Sequence, residues 1–135
     1  MPMFNASQST ISRRGERAAP QAVQPVIDAE TERAVRSFLR HLAGRYPIRE
    51  VILFGSRARN THTPESDADI AVVLEGAHGD RSAAVRDMAG IAFHVMMETG
   101  VMVQALPLWP DELARPETFS NPALINNILR EGVHL

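Results

Sequence analysis

The 135-residue sequence contains no cysteine, and this absence excludes disulfide bonds and thiolate metal sites. It also lacks any apolar run close to the roughly 20 residues that a membrane-spanning helix requires. Neither sign of charge is in clear excess, because 14 basic and 16 acidic residues leave a formal net charge of −2. Such a balance argues against a non-specific nucleic-acid binder, which usually carries a basic surplus. We therefore predict a cytoplasmic protein without a membrane segment or direct nucleic-acid contacts.

The composition changes near residue 28. Residues 1–27 hold Pro2, Pro20 and Pro25 among Ser, Gln, Arg and Ala, show no hydrophobic periodicity, and are predicted to form a flexible extension. The absence of acids from residues 1–15 is a weaker indication of a transit peptide. Residues 28–135 are predicted to form one domain, because the chain is long enough for one core and too short for two.

Within residues 28–135 the hydrophobic period alternates between that of helices and that of strands. A helix is predicted after an N-cap at Asp28, and a last helix after an N-cap at Asn121. The remaining predicted elements are a strand over 50–54, a short helix within 55–60, a strand over 67–76, a helix over 81–98 and a strand over 101–108. The resulting α-β-α-β-α-β-α order predicts an α/β (α+β) fold in which helices cover a short sheet of about three strands.

The long helix over 81–98 is rich in Ala and Met, so several faces of it are apolar. We predict that its buried stripe consists of Val85, Met88, Ala89, Ala92 and Met96. Gly100 is the expected residue at its C-terminal end.

Two aspartates open the second predicted strand, in the sequence DADIAVVL. Asp67 and Asp69 are two residues apart, so both carboxylates project from one face of the strand, roughly 7 Å from each other. Like charges at that distance repel, and one carboxyl would take up a proton unless a cation lies between them. Mg²⁺ binds one or two carboxylates and completes its coordination with water and phosphate oxygens. The pair therefore predicts a divalent-cation site that also receives a phosphate.

The first predicted strand ends at Gly55-Ser56, where a phosphate would complete that site. A glycine permits a sharp turn and a close approach of the phosphate, and Ser56 adds a hydroxyl donor. The free amides at the start of the following helix favour an anion. Arg57 and Arg59 either reach the same phosphates or stabilise the turn. We expect the two strands to be neighbours because their connection is short.

Gly55-Ser56, ten further residues, and then Asp67-Ala68-Asp69 resemble the motif of the DNA polymerase β-like nucleotidyltransferases. The size and element order are similar to the minimal branch of this superfamily, the MNT proteins that are often paired with HEPN-domain toxins. The resemblance covers residues 30–132. It implies the polymerase β-like fold with a mixed sheet, Asp67 and Asp69 as catalytic metal ligands, and Mg²⁺ (or Mn²⁺) as the ion. It also implies ATP as the nucleotide donor, with Gly55 and Ser56 holding its β- and γ-phosphates. We add Arg57, Arg59 and Ser66 to the predicted nucleotide-binding residues.

The implied activity is transfer of AMP to a hydroxyl, in minimal members a tyrosine of the co-encoded HEPN toxin, so that the protein acts as the antitoxin. Two positions depart from the family pattern: Asn60 stands where glycine is usual, and the third strand, VMVQALPL, offers Gln104 where active members carry a third carboxylate. A glutamine cannot accept a proton as a carboxylate does. Glu98, Asp111 or Glu112 would replace that carboxylate only if the strand register brought one of them inward.

Three functions therefore remain open. The first is a protein-modifying nucleotidyltransferase, the second a nucleotide-binding module that neutralises its partner by contact, and the third a small-molecule nucleotidyltransferase. Each is compatible with a homo-oligomer. His62 is expected to be a solvated loop residue rather than a contact to the base.

Overall fold

The computed structural model describes residues 26–135, so nearly all of the predicted extension over 1–27 lies outside the described residues. The described chain contains helices, strands and one 3₁₀ turn. In chain order these are α1 (Ala29–Leu42), β1 (Ile48–Phe54), α2 (Ser56–Arg59), β2 (Ala68–Leu74), α3 (Arg81–Thr99), β3 (Val103–Leu108), α4 (Pro110–Ala114), the 3₁₀ turn (Pro116–Thr118), α5 (Pro122–Glu131) and β4 (Val133–His134).

The strands form one mixed sheet in the order β3-β2-β1-β4. β1 is antiparallel to β2 and β4, whereas β2 is parallel to β3. The mixed α/β fold expected from the sequence is therefore confirmed, and the sheet has one strand more than the three expected. That strand, β4, consists of two residues that pair with Ile52 and Leu53, and it is too short to show a strand period in the sequence.

The expected helix ends are present. The Asp28 carboxylate accepts a hydrogen bond from the Thr31 amide at 2.8 Å, and the Asn121 side chain accepts one from the Leu124 amide at 3.3 Å. Gly100 ends α3 with a φ of 82°, in the left-handed region that glycine tolerates best. The two N-terminal ends could be predicted from the sequence because residues of these types accept hydrogen bonds from the free amides of the first helical turn.

Two hydrophobic clusters lie on opposite faces of the sheet. On one face, α1 and α3 pack on alternate strand residues, including Leu53, Ile70 and Val72. On the other face, α5 packs through Ile125 and Ile128; its strand partners are Ile52, Ala71 and Leu108. Because β2 is buried on both faces, this strand lies at the centre of the hydrophobic core.

The stripe predicted for α3 is wrong at Val85 and Ala89, which are exposed. The buried face is instead formed by Ala84, Met88, Ile91, Ala92 and Val95. Since α3 is apolar on several sides, its pattern did not indicate which side faces the sheet. Although α3 is also the longest helix described, no helix within residues 26–135 is both long and apolar enough to cross a membrane.

Two glycines make a matched test of packing in this fold. An added Cβ on Gly90 of α3 would meet no heavy atom within 4 Å, whereas one on Gly132 would overlap the Ile52 side chain and the Ile128 carbonyl. We expect Gly90→Ala to raise the free energy of unfolding by about 1 kcal/mol through helix propensity. Gly132→Ala should lower it by about 1–3 kcal/mol through overpacking. Urea denaturation measures both, and equal stability of the two variants would contradict this packing at β1 and α5.

Candidate active site

The sheet places Asp69 between two neighbours at the N-terminal end of β2. Asp69 pairs with Phe54 of the antiparallel strand β1 and with Gln104 of the parallel strand β3. Paired residues of adjacent strands point to the same side, so Gln104 shares a face with Asp69. This is the face that α5 covers farther along β2, where Ala71 is buried. On this face, Asp69 is half-buried and Gln104 is exposed.

Gly55 and Asp69 are in close contact. Gly55 follows the last residue of β1 with a φ of 76°, a conformation that side chains with a Cβ rarely adopt. A Cβ at Gly55 would overlap the Asp69 carboxylate, with the Asp69 Cγ only 3.3 Å away. The carboxylate thus occupies the space that any residue other than glycine would need at this turn.

The two aspartates repel each other. Burial raises the pKa of Asp69 above its usual value, the negative charge of Asp67 raises this pKa further, and the positive charge of Arg59 lowers it. Asp67 itself is exposed at the head of β2. A half-buried acid with a second acid beside it is an environment that a divalent cation would neutralise, so these carboxylates fit the ion expected from the sequence.

Ser56 begins α2, directly after the turn at Gly55. The Gly55 carbonyl accepts hydrogen bonds from the amides of Ala58 and Arg59 at 3.1 and 3.2 Å. Asn60 ends the helix in the left-handed conformation with a φ of 59°. Asparagine adopts this conformation more readily than most residues, so it supplies the backbone geometry for which glycine is usual.

The two arginines of the motif have different surroundings. Arg57 is buried, and its guanidinium donates to the Ser66 carbonyl at 3.0 Å and to Thr31 Oγ1 at 2.8 Å. Arg59 is exposed, and its Nη1 lies 3.7 Å from a carboxylate oxygen of Glu131. The contacts of Arg57 join α1 to the loop before β2, whereas Arg59 acts electrostatically on Asp69.

Ser66 and His62 lie in the loop before β2. Ser66 Oγ accepts a hydrogen bond from the Thr63 amide at 3.0 Å, so its hydroxyl helps to shape the loop. His62 is not solvated as expected: its side chain is largely buried, and Nε2 lies 2.5 Å from Oδ2 of Asp28. Thr31, fully buried beneath Arg57, was missed by sequence reasoning because a threonine in a first helical turn gives no sign of a partner 26 residues away.

No other carboxylate replaces the missing third one within the described residues. Glu98 accepts a hydrogen bond from Ser37 at 2.6 Å, Glu112 is buried against Arg81, and Asp111 lies beside His78. Within residues 26–135, no group of three His, Asp or Glu side chains is close enough together to hold a metal. A cation here would therefore have two protein carboxylates, with Gln104 in register beside one of them.

A mixed sheet with paired acids opposite a Gly-Ser turn defines the class of nucleotidyltransferases, and comparison with known proteins agrees. The family model described as "Nucleotidyltransferase domain" matches residues 33–133, and the chain belongs to this family. The chain is 31% identical over 103 residues to a Methanocaldococcus jannaschii protein named "Putative protein adenylyltransferase MJ0604". That alignment covers 75% of this chain and 93% of the relative. The resemblance read from the motif is thereby confirmed.

A solved structure shows the same fold. A crystal structure of a toxin-antitoxin with AMP-PNP superposes with a TM-score of 0.50 at 20% identity, covering 76% of this chain and 70% of that one. A mutant MntA-HpeT toxin-antitoxin structure gives a TM-score of 0.49, also at 20% identity, over 77% and 70% of the two chains. The first of these likenesses supports the polymerase β-like arrangement of the sheet.

The repulsion between the two acids is open to direct measurement. Asp67→Asn removes the like charge, so the pKa of Asp69 should fall toward its usual value, while Glu65→Gln, a change of an exposed acid in the same loop, should leave it unchanged. Carbon-13 NMR titration of the Asp69 carboxyl without divalent cations gives both values. An Asp69 pKa that is the same in all three proteins would show that the carboxylates do not interact.

Proposed function

We propose that this protein is a Mg²⁺-dependent nucleotidyltransferase that transfers AMP from ATP to a hydroxyl of a partner protein. The acceptor would be a tyrosine of a co-encoded HEPN-type toxin, and the protein would act as its antitoxin. The observation that carries the proposal is the packing of the Asp69 carboxylate against the Gly55 turn, with Asp67 beside it. This geometry would join a cation holder and an anion-accepting turn in one site.

Each of these residues has a role in the proposed reaction. Asp67 and Asp69 would hold the ion, which when bound supplies positive charge beside the reacting phosphate. Gly55 and Ser56 would receive the β- and γ-phosphates, because the turn has no Cβ and ends in a hydroxyl donor. Arg59, exposed beside the site, adds a positive charge that the phosphates would meet. Positioning and charge neutralisation are the main contributions a protein makes to phosphoryl chemistry.

The chemistry is an in-line displacement at the α-phosphorus of ATP. The acceptor oxygen forms the new bond to phosphorus, and the bond from phosphorus to the bridging oxygen of the β-phosphate breaks. Pyrophosphate leaves with the electron pair, and the hydroxyl proton passes to solvent or to a phosphate oxygen. Gln104, in register with Asp69, can orient the acceptor through its amide but cannot take this proton.

A protein acceptor is favoured over a small molecule by the shape of the site. Asp67 and Gln104 are exposed at the open end of the sheet, and residues 26–135 contain one four-stranded sheet with its helices and no second sheet to enclose a small acceptor. A relative is named as a protein adenylyltransferase, and a toxin-antitoxin structure with AMP-PNP shares the fold. Both support a nucleotide donor and a protein partner for this chain.

A second candidate function rests on Gln104. With a neutral amide at the third-strand position, the protein would bind a nucleotide weakly or without turnover and neutralise its partner by contact alone. This binding module would keep the same fold and the same cation pair. It differs from the first proposal in one measurable respect, the covalent transfer of AMP.

The decisive experiment incubates the protein with α-³²P-ATP, Mg²⁺ and the purified protein encoded by the adjacent gene. We expect label on the partner from the native protein and a loss of about 100-fold with Asp67→Asn or Asp69→Asn, because either change removes a ligand of the cation that stabilises charge in the transition state. Scintillation counting of gel-separated proteins measures transfer.

The matched control is Glu75→Gln, which removes an exposed charge just after β2 and should leave transfer unchanged. A stable complex with the partner that never acquires label would favour the binding module. Release of pyrophosphate with an aminoglycoside alone would favour the small-molecule enzyme.

The register of β3 allows a gain-of-activity test. Gln104→Asp places a carboxylate next to Asp69, at the position where a proton acceptor is missing, and should raise the transfer rate by about 10²-fold or more. Gln104→Asn keeps the side chain neutral and serves as the control, in which the transfer rate should not rise. Initial rates at saturating Mg²⁺ and ATP compare the three proteins, and equal rates for Gln104→Asp and Gln104→Asn would contradict the proposed missing base.

A further inference from the structure

Arg57 connects the motif to the loop that precedes the first aspartate. Its guanidinium donates to the carbonyls of Ser66 and Pro64 at 3.0 and 3.3 Å, and its Nη1 donates to Thr31 Oγ1 at 2.8 Å. Only 1% of the surface of residue Arg57 is exposed. A planar guanidinium fixes several acceptors at set angles, which a flexible ammonium does not do.

Asp67 stands between two residues, Ser66 and Ala68, whose backbone groups are held by hydrogen bonds, including one from the Ser66 amide to the Thr63 carbonyl at 3.0 Å. On its C-terminal side, the Ala68 amide donates to the Met102 carbonyl at 2.8 Å and joins β2 to the chain entering β3. On its N-terminal side, the Ser66 carbonyl accepts from Arg57. Asp67 is exposed and outside the strand, so its direction depends on both neighbours being held.

The first turn of α1 holds Arg57 and the same loop in place. The Thr31 hydroxyl accepts from Arg57, and the Asp28 carboxylate contacts both the Thr31 amide and the His62 ring. The Asn60 side chain donates to the Val26 carbonyl at 3.0 Å. The residues at and just before the start of α1 are thereby joined to Arg57, to Asn60 and, through His62, to the loop over 61–66.

We infer that Arg57 is a positioning residue: held by Thr31, it fixes the Ser66 carbonyl and so directs the Asp67 carboxylate toward the cation site. Together, Thr31, Arg57 and the carbonyls that Arg57 contacts form what we call the loop anchor. The inference rests on the proposed function, since it assigns Asp67 to the cation. It also assigns Arg57, the first arginine of the motif, to the protein interior and leaves Arg59 as the arginine that faces the phosphates.

Two variants test the loop anchor in the full chain. Thr31→Val keeps the shape of the side chain and removes the hydroxyl that accepts from Arg57. Arg57→Lys keeps the positive charge and removes the planar guanidinium that donates to several acceptors at once. Each should weaken Mn²⁺ binding by about 10-fold, as loss of an outer-shell contact usually does. Each should also speed hydrogen exchange at the Thr63 and Ser66 amides. Calorimetric titration with Mn²⁺ and exchange mass spectrometry measure these effects below the unfolding temperature of each variant.

Thr31→Ser, which restores the hydroxyl, should bind Mn²⁺ like the native protein. Arg36→Gln breaks only an exposed ion pair with Glu32 on the same helix and should change neither readout. Faster exchange with unchanged Mn²⁺ affinity would overturn the positioning role, as would native values of both readouts in whichever of the two variants folds. If the native protein takes up no Mn²⁺, the proposed function fails, and the exchange data alone then decide whether Arg57 holds the loop.

Discussion

The packing of the Asp69 carboxylate against the Gly55 turn is the constraint on which the site depends. Antiparallel pairing of β1 and β2 sets Asp69 opposite Phe54, so that the carboxylate comes beside the residue where β1 ends. A register shift of one residue would turn Asp69 toward the α1 and α3 side of the sheet. Burial of β2 on both faces holds the register, since Ile70 and Ala71 are fully buried on opposite sides. The hydrophobic core thus fixes the spacing between the acid and the turn.

The same arrangement carries an electrostatic cost. Asp69 is partly buried, lies near Asp67, and has its pKa raised by both effects, which means that its charged form is disfavoured in the fold. A raised folded pKa contributes stability below the unfolded pKa, and this stability is lost as pH rises through the folded value. Arg59 offsets part of the cost without closing the site, because its side chain remains exposed. Acidic side chains in environments that disfavour their charged form are typical of functional sites.

The local features of the fold were readable from the sequence, whereas the contacts between distant segments were not. Asp28 and Asn121 indicate the starts of helices because their side chains accept hydrogen bonds from amides three residues ahead. The Gly-Ser and Asp-Ala-Asp spacing indicated the site because one short connection joins the two strands. By contrast, the role of Arg57 depends on Thr31, and nothing in either segment encodes their pairing. The face of α3 was misassigned for a related reason, since only the sheet selects among several apolar sides.

The contacts of Arg57 determine which changes the loop before β2 can accept. Arg57 contacts the loop mainly through backbone carbonyls of residues 63, 64 and 66, which every amino acid provides. Side chains at Thr63, Pro64 and Glu65 are therefore open to replacement during evolution, whereas insertion or deletion of one residue would move the carbonyls out of reach. Relatives that retain the arginine are expected to keep this loop at constant length while its composition drifts.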